Sequence, residues 1–296
     1  MDVKPQTDPS ATSIAADRRA GSRARRTDAA QGNAKKDGVF GFAWFLVKLV
    51  LVVLLLRTFV FAPFSIPSES MLPRLWHGDF LIATKWSYGY SDASLPFEAS
   101  LSSGRIFASQ PERGDIVIFK HPVDRQDYVK RVIGLPGDTI SLIGGQVVLN
   151  GQLVPKEPIA DFTLPLSPYA GCAFGEKNAP GAQGAQGEAS CTYRRFRETL
   201  PNGVSQEVLD FGLSPGDSIP VATVPQGHMF VMGDNRDYSR DSRFPALAGD
   251  GVGMVPQDNL VGRARFVFWS TDGSAQWSNP LSWFSATRWD RIGESF

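Results

Sequence analysis

The chain has 296 residues, 42% hydrophobic and 20% charged, which suffices to bury one or two domain cores and excludes disorder throughout. Thirty basic side chains balance thirty acidic ones, which excludes a polyanion such as nucleic acid as the main partner. The 29 Gly, 21 Pro and 20 Phe favour strands and turns over long amphipathic helices, so the expected fold class is mainly β.

In chain order, residues 1–38 carry eight Lys or Arg against five Asp among Ser, Ala, Gly and Gln, the composition of a disordered basic tail. The run 39–62, Val39 to Ala62, is apolar except for Lys48 and Arg57. It exceeds the roughly 20 residues that a bilayer crossing needs. A buried core helix is the competing reading, because a central lysine costs about 2.5–3.5 kcal/mol on insertion. The transmembrane reading stands because Lys48 and Arg57 can snorkel to opposite interfaces while Leu49 to Leu56 drive insertion. Phe61-Ala62-Pro63-Phe64-Ser65-Ile66-Pro67 follows instead of a small-x-small cleavage site, so the segment is expected to be retained as an anchor. The basic tail then places the N-terminus in the cytoplasm and residues 63–296 outside.

The external part reads as short strands: Asp79 to Lys85, Asp115 to Lys120 and Tyr128 to Gly134 are β-branched or aromatic runs bounded by Gly, Pro and Asp. Thr139 to Ile143, Gln146 to Leu149 and Gln152 to Val154 are joined by Gly144-Gly145 and Asn150-Gly151, the dipeptides of primed hairpin turns. Residues 156–215 are rich in Pro, Gly and polar groups and lack periodicity. Strand character returns at Gly227 to Gly233 and Leu260 to Trp269. The order predicts a β core at 63–138 and 226–296, interrupted by a smaller inserted β/loop domain at 139–225. The two cysteines, Cys172 and Cys191, fall in that insertion, where an oxidising compartment permits a disulfide. The bond would close a loop of about 20 residues and contribute about 3 kcal/mol in the chain-entropy model, two free thiols being the alternative.

Three constellations carry possible chemistry. Ile66-Pro67-Ser68-Glu69-Ser70-Met71-Leu72-Pro73 by itself reads as turn residues. In the run Asp127 to Asp138, Lys130 lies in an otherwise apolar strand, where burial would favour its neutral amine; a solvated Lys-Arg pair is the plainer reading. Gly233 to Arg243 alternates acids and arginines, as a surface ion-pair loop or a rigid scaffold around a site would.

Together, and in this order, the three resemble type I signal peptidases, the Ser/Lys leader peptidases of bacterial membranes. The resemblance includes the anchor and Arg113-Gly114-Asp115-Ile116-Val117, and it departs at Glu69, where many members have glycine. It implies a signal-peptidase-like β fold, Ser70 as nucleophile and Lys130 as general base. Ser68 would supply a hydroxyl to an oxyanion hole shared with the Ser70 backbone N–H, and Ser239 would orient the amine. Arg131 with Asp234, and Asp241 with Arg243, would be structural ion pairs. Phe64, Ile66, Met71, Leu75, Tyr128 and Val129 would line shallow apolar clefts for small residues, and an extended substrate would add as a strand beside Ser65 and Asp127. The implied activity is membrane-bound removal of signal peptides from secretory preproteins after small-x-small sites. The implied location is the bacterial inner membrane, with the catalytic part periplasmic and the aromatic C-terminal region, Trp269 to Trp289, available to lipid.

No cofactor is expected, and three scattered histidines with two cysteines have no metal-ligand spacing. A Ser-His-Asp triad would need His77, His121 or His228, none in a promising context. The remaining alternatives are a soluble self-cleaving Ser/Lys protein, disfavoured by the anchor, and a catalytically inactive anchored β-domain acting as a binding or assembly factor.

Overall fold

The computed structural model describes residues 40–95, 104–169, 171 and 190–296. The basic tail at 1–38 and Cys172 lie outside the described residues. The chain divides into two compact units, Met1–Leu56 and Arg57–Phe296. Helix α1 (Phe40–Phe59) is apolar around its circumference and buries none of that surface, so it is long and apolar enough to cross a membrane and is not the core helix of the competing reading. It stops short of the expected end at Ala62. Pro63 removes a backbone donor and disfavours helical geometry at the residue before it, and Phe61 and Ala62 instead open strand β1 (Phe61–Ser65).

The second unit is built on a seven-stranded antiparallel sheet in the order β1-β2-β14-β3-β4-β12-β13. Its remaining strands are β2 (Asp79–Thr84), β3 (Ile116–Lys120), β4 (Asp127–Gly134), β12 (His228–Met232), β13 (Val255–Pro256) and β14 (Leu260–Ser270). Strand β3 shows why the run Ile116-Val-Ile-Phe is continuously apolar: both of its faces are buried. Ile116 and Ile118 pack with Ile66, Met71, Leu75 and Leu81, whereas Val117 and Phe119 pack with Val132, Met229 and Val231. Register then sets Lys130 of β4 opposite Val117, inside this packed region rather than on an edge.

Between β4 and β12 the chain builds two smaller sheets. Strands β5 (Thr139–Ile143), β6 (Gln146–Leu149), β7 (Gln152–Leu153) and β11 (Ile219–Thr223) form one, in the order β11-β5-β6-β7. Its hairpin turns have positive φ at both central residues, 55° and 77° at Gly144-Gly145 and 53° and 78° at Asn150-Gly151, the twist that suits two-residue loops. Ile140, Leu142, Val147 and Leu149 bury themselves against Ile133, Phe230 and Met232 of the main sheet.

The other sheet lies in the stretch where the sequence lacks periodicity. Strands β8 (Lys156–Pro165) and β9 (Ser190–Thr199) are each ten residues long and pair with β10 (Ser205–Leu209) in the order β10-β9-β8. Strand β8 is an edge strand that leaves most of its residues exposed, so apolar alternation is absent and Pro158 and Pro165 are tolerated. Buried Cys191 is disulfide-bonded and packs with Leu72, Leu164, Tyr193 and Leu209 in a small core.

Candidate active site

The segment after β1 is short and tightly held. Ile66 N–H donates to the Asp79 carbonyl at 2.8 Å, and Gly78 N–H donates to the Ile66 carbonyl at 2.9 Å. Beyond it, the 233–243 loop clamps the backbone around Ser70 from the other side. Asn235 N–H donates to the Ser70 carbonyl at 3.1 Å, and Asn235 Nδ2 donates to the Glu69 carbonyl at 3.1 Å. The approach is so close that a Cβ at Gly233 would lie 2.3 Å from Ser239 Oγ and 2.5 Å from the Ser70 carbonyl oxygen. Glycine is required there by space, not by backbone angle.

Lys130 Nζ donates to Ser70 Oγ at 2.7 Å, and both side chains are buried. Burial lowers the Lys130 ammonium to about 8; the carboxylates of Asp241 and Asp234 act in the opposite direction, and Arg243 adds to the lowering. These acids do not recharge the amine because each is held by a guanidinium. Arg131 grips Asp234 through Nε and Nη2 at 2.7 and 2.6 Å, and Arg243 grips Asp241 through Nε and Nη2 at 2.8 and 3.0 Å. Although burial opposes its charge, Asp241 is held below the ordinary carboxylate range by Arg243 and by the Gly233 N–H, which donates to it at 3.0 Å. Ser68 Oγ lies 3.3 Å from Ser70 Oγ on the exposed side.

A cleft of about 830 Å³ opens over this pair. Of the residues singled out for substrate binding, Phe64, Ile66, Met71, Tyr128 and Val129 line it, together with Ser65 and Asp127. Leu75 does not: it is fully buried in the core cluster that also holds Met71. Ser239 lines the cleft, but its hydroxyl does not bond Lys130. Among the described residues Ser239 Oγ has no hydrogen-bond partner, and it lies beside Gly233, near enough to Asp241 to help lower that carboxyl but outside bonding geometry. None of the histidines lines the cleft: His121 is buried against the Gly251 carbonyl, His77 stacks on Tyr169, and His228 bonds the Gln226 carbonyl. Glu69 does not line the cleft; burial pushes its carboxyl up against the pull of the Gly171 N–H.

Two contributions went unnoticed in the sequence. Arg236, within the acid-arginine run, forms a fully buried bidentate pair with Glu198 of β9, and its own carbonyl accepts a bond from Arg243 Nη2. The partner is 38 residues away in a segment without a motif, so no local signal points to it. Part of the cleft lining comes from Phe211 to Pro215, the loop that follows β10 within the insertion.

A serine hydroxyl bonded by a buried lysine amine in an apolar cleft is an arrangement suited to Ser/Lys hydrolysis. Residues 39–269 match the family model described as signal peptidase, peptidase S26. The signal peptidase I of Rickettsia akari (strain Hartford) is 32% identical over 289 residues, covering 90% of this chain and 96% of that protein. That of Rickettsia prowazekii (strain Madrid E) is 34% identical over 273 residues, covering 86% and 91%. A solved signal peptidase I from Enterococcus faecalis V583 is matched at 25% identity and a TM-score of 0.26, over 52% of this chain and 97% of that one. The chain belongs to the signal peptidase family S26 and is a serine endopeptidase of the signal peptidase I type.

The clamp around Ser70 gives two expected outcomes. Gly233→Ala should push the Ser70 backbone and Ser239 apart and lower kcat by about a hundredfold with little change in KM, as misplacement of reacting groups does; steady-state cleavage kinetics check this. Glu198→Ala should destabilise the chain by about 3–5 kcal/mol by stranding the Arg236 charge, and Glu198→Ala combined with Arg236→Met should restore most of that, as read by urea denaturation.

Proposed function

We propose that this chain removes signal peptides from secretory preproteins with Ser70 as nucleophile and Lys130 as general base. The observation that carries this reading is the 2.7 Å contact between a buried amine and the Ser70 hydroxyl. A lysine with its ordinary pKa of about 10.4 is almost wholly protonated near pH 7 and has no lone pair to offer. Burial reduces that obstacle here, bringing the amine to about 8, so that a substantial neutral fraction is present above neutral pH.

The steps follow from the placement. Neutral Lys130 accepts the Ser70 proton as Oγ bonds to the scissile carbonyl carbon. The carbonyl oxygen becomes an oxyanion, stabilised by the Ser68 hydroxyl and the Ser70 N–H; one such donor contributes about 3–4 kcal/mol to the transition state. The Lys130 ammonium then gives its proton to the departing amine, which is the new N-terminus of the mature chain. Water, activated by the same lysine, hydrolyses the ester and frees Ser70. The signal-peptide side lies extended between Ser65 and Asp127, with small residues against Phe64, Ile66, Met71, Tyr128 and Val129. Arg131–Asp234 and Arg243–Asp241 keep acids near the amine without surrendering a bond to it. Ser239 acts through packing against Gly233 and its influence on Asp241.

The anchor places this chemistry at the membrane. Only ten residues separate the end of α1 at Phe59 from Ser70, so a translocated preprotein presents its cleavage end close to the nucleophile. The arginine- and lysine-rich tail orients the N-terminus to the cytoplasm of a bacterial inner membrane and the catalytic part to the periplasm. Exposed Trp277, Leu281, Phe284 and Trp289 suit a lipid interface, where aromatic rings lodge at headgroup depth.

Ser70→Ala, Lys130→Ala and Lys130→Arg should each abolish cleavage of a secretory preprotein by the detergent-solubilised chain, while His121→Ala retains it; a histidine variant as inactive as Ser70→Ala would overturn the assignment. Because the neutral amine is the active form, single-turnover cleavage should rise with pH and reach half its maximum near about 8. Protease added to spheroplasts should digest the chain beyond residue 63 and spare the tail. Protection of the larger unit would reverse the orientation.

A further inference from the structure

The cleft extends beyond the part that the signal peptide occupies. Its order is set by backbone contacts: Ser65 and Asp127 lie at one end, the Ser70–Lys130 pair follows, and the Ser70 carbonyl is bonded by Asn235 N–H. Asn235 in turn bridges Leu209 in parallel, and Leu209 N–H donates to the Asp234 carbonyl at 2.9 Å. Strand β10 therefore leads from the backbone that bonds Ser70 directly into the loop from Phe211 to Pro215, which lines the same cleft.

That loop is fixed in place. Phe211 N–H donates to Asp237 Oδ2 at 2.6 Å, Gly212 N–H to Asp210 Oδ1 at 3.0 Å, and Ser214 N–H to Asp217 Oδ2 at 2.6 Å. At its tip Leu213 is 90% exposed and lines the cleft, with Phe211, Pro215 and the half-exposed Tyr238 beside it. An apolar side chain held outward on a braced loop, in the same cleft as the nucleophile, is surface that gains by being covered when the cleft fills.

We propose that Leu213, with Phe211 and Tyr238, forms a subsite for an apolar side chain among the first residues after the cut, so that the enzyme selects on the mature side of the scissile bond as well as on the signal-peptide side. The occupant is the substrate itself, because a chain lying extended past Ser65 and Ser70 continues across this loop. The inference rests on the proposed cleavage reaction and its assignment of the signal-peptide side to Ser65 and Asp127. It makes the insertion a contributor to substrate choice.

The test uses the full-length chain in detergent and fluorogenic peptides that share one Ala-x-Ala end and differ only in the three residues after the cut, which carry Leu, Ser or Asp in turn. The wild type should cleave the best-placed Leu peptide with a kcat/KM about fivefold above its Ser counterpart, and the Asp peptide least well. In Leu213→Ser the Leu/Ser ratio should fall to about one, while Leu213→Met keeps it; thermal melts confirm that both variants fold. Cleavage without a preference for Leu, or a preference that survives in Leu213→Ser, would overturn the subsite and leave the reaction standing. Failure of the wild type to cleave any peptide would overturn both.

Discussion

Everything in this site depends on keeping an amine dry. Lys130 lies on a central strand opposite Val117, and its removal from water brings the ammonium to about 8. Desolvation is a bulk property of packing, so the lowered ammonium of Lys130 is as much a product of β3, β4 and their neighbours as of its own side chain. A histidine base begins near the working pH and needs orientation above all. A lysine base must first be destabilised as a cation, and only a packed interior does that.

A buried amine near carboxylates would ordinarily be recharged by them. Here Asp234 and Asp241 come close enough to act on Lys130, but Arg131 and Arg243 hold both of their oxygens in forked bonds. Such forks are directional and strong when desolvated, so the acids are consumed geometrically before they can pair with the lysine. The same loop supplies Asn235 and Gly233 to the Ser70 backbone. One stretch of eleven residues, Gly233 to Arg243, thus holds charges in pairs and positions the Ser70 backbone.

The insertion is tied into this arrangement rather than appended to it. Glu198 of β9 holds Arg236 in a fully buried pair, and the Arg236 carbonyl accepts a bond from Arg243. Cys191 and Leu209 pack with Leu72, two residues beyond the nucleophile. A buried ion pair of this kind contributes little net stability, since desolvation offsets the attraction, but it fixes where two segments meet. The second sheet therefore shapes the wall of the cleft and stiffens the loop beneath it.

Local physics was legible in the sequence. The anchor showed as an apolar run, β3 as a continuous apolar strand, and the two hairpins through Gly144-Gly145 and Asn150-Gly151, because each depends on neighbours a few residues apart. The resemblance to Ser/Lys peptidases likewise rested on short motifs, which brought Ser70 and Lys130 to attention together. Long-range matters were not legible. Strand β8 is held by backbone bonds to β9 on a largely exposed edge and leaves no apolar period to read. Leu75 and Met71 look alike as apolar neighbours of Ser70 and both are buried, yet only Met71 lines the cleft. The sequence by itself determined the anchor, the mainly β class and the identities of the chemical groups. Tertiary structure alone decided that Arg236 would meet Glu198, that Ser239 would lie against Gly233, and that Phe211 to Pro215 would border the cleft. Those outcomes depend on how distant strands pack, which no local pattern encodes.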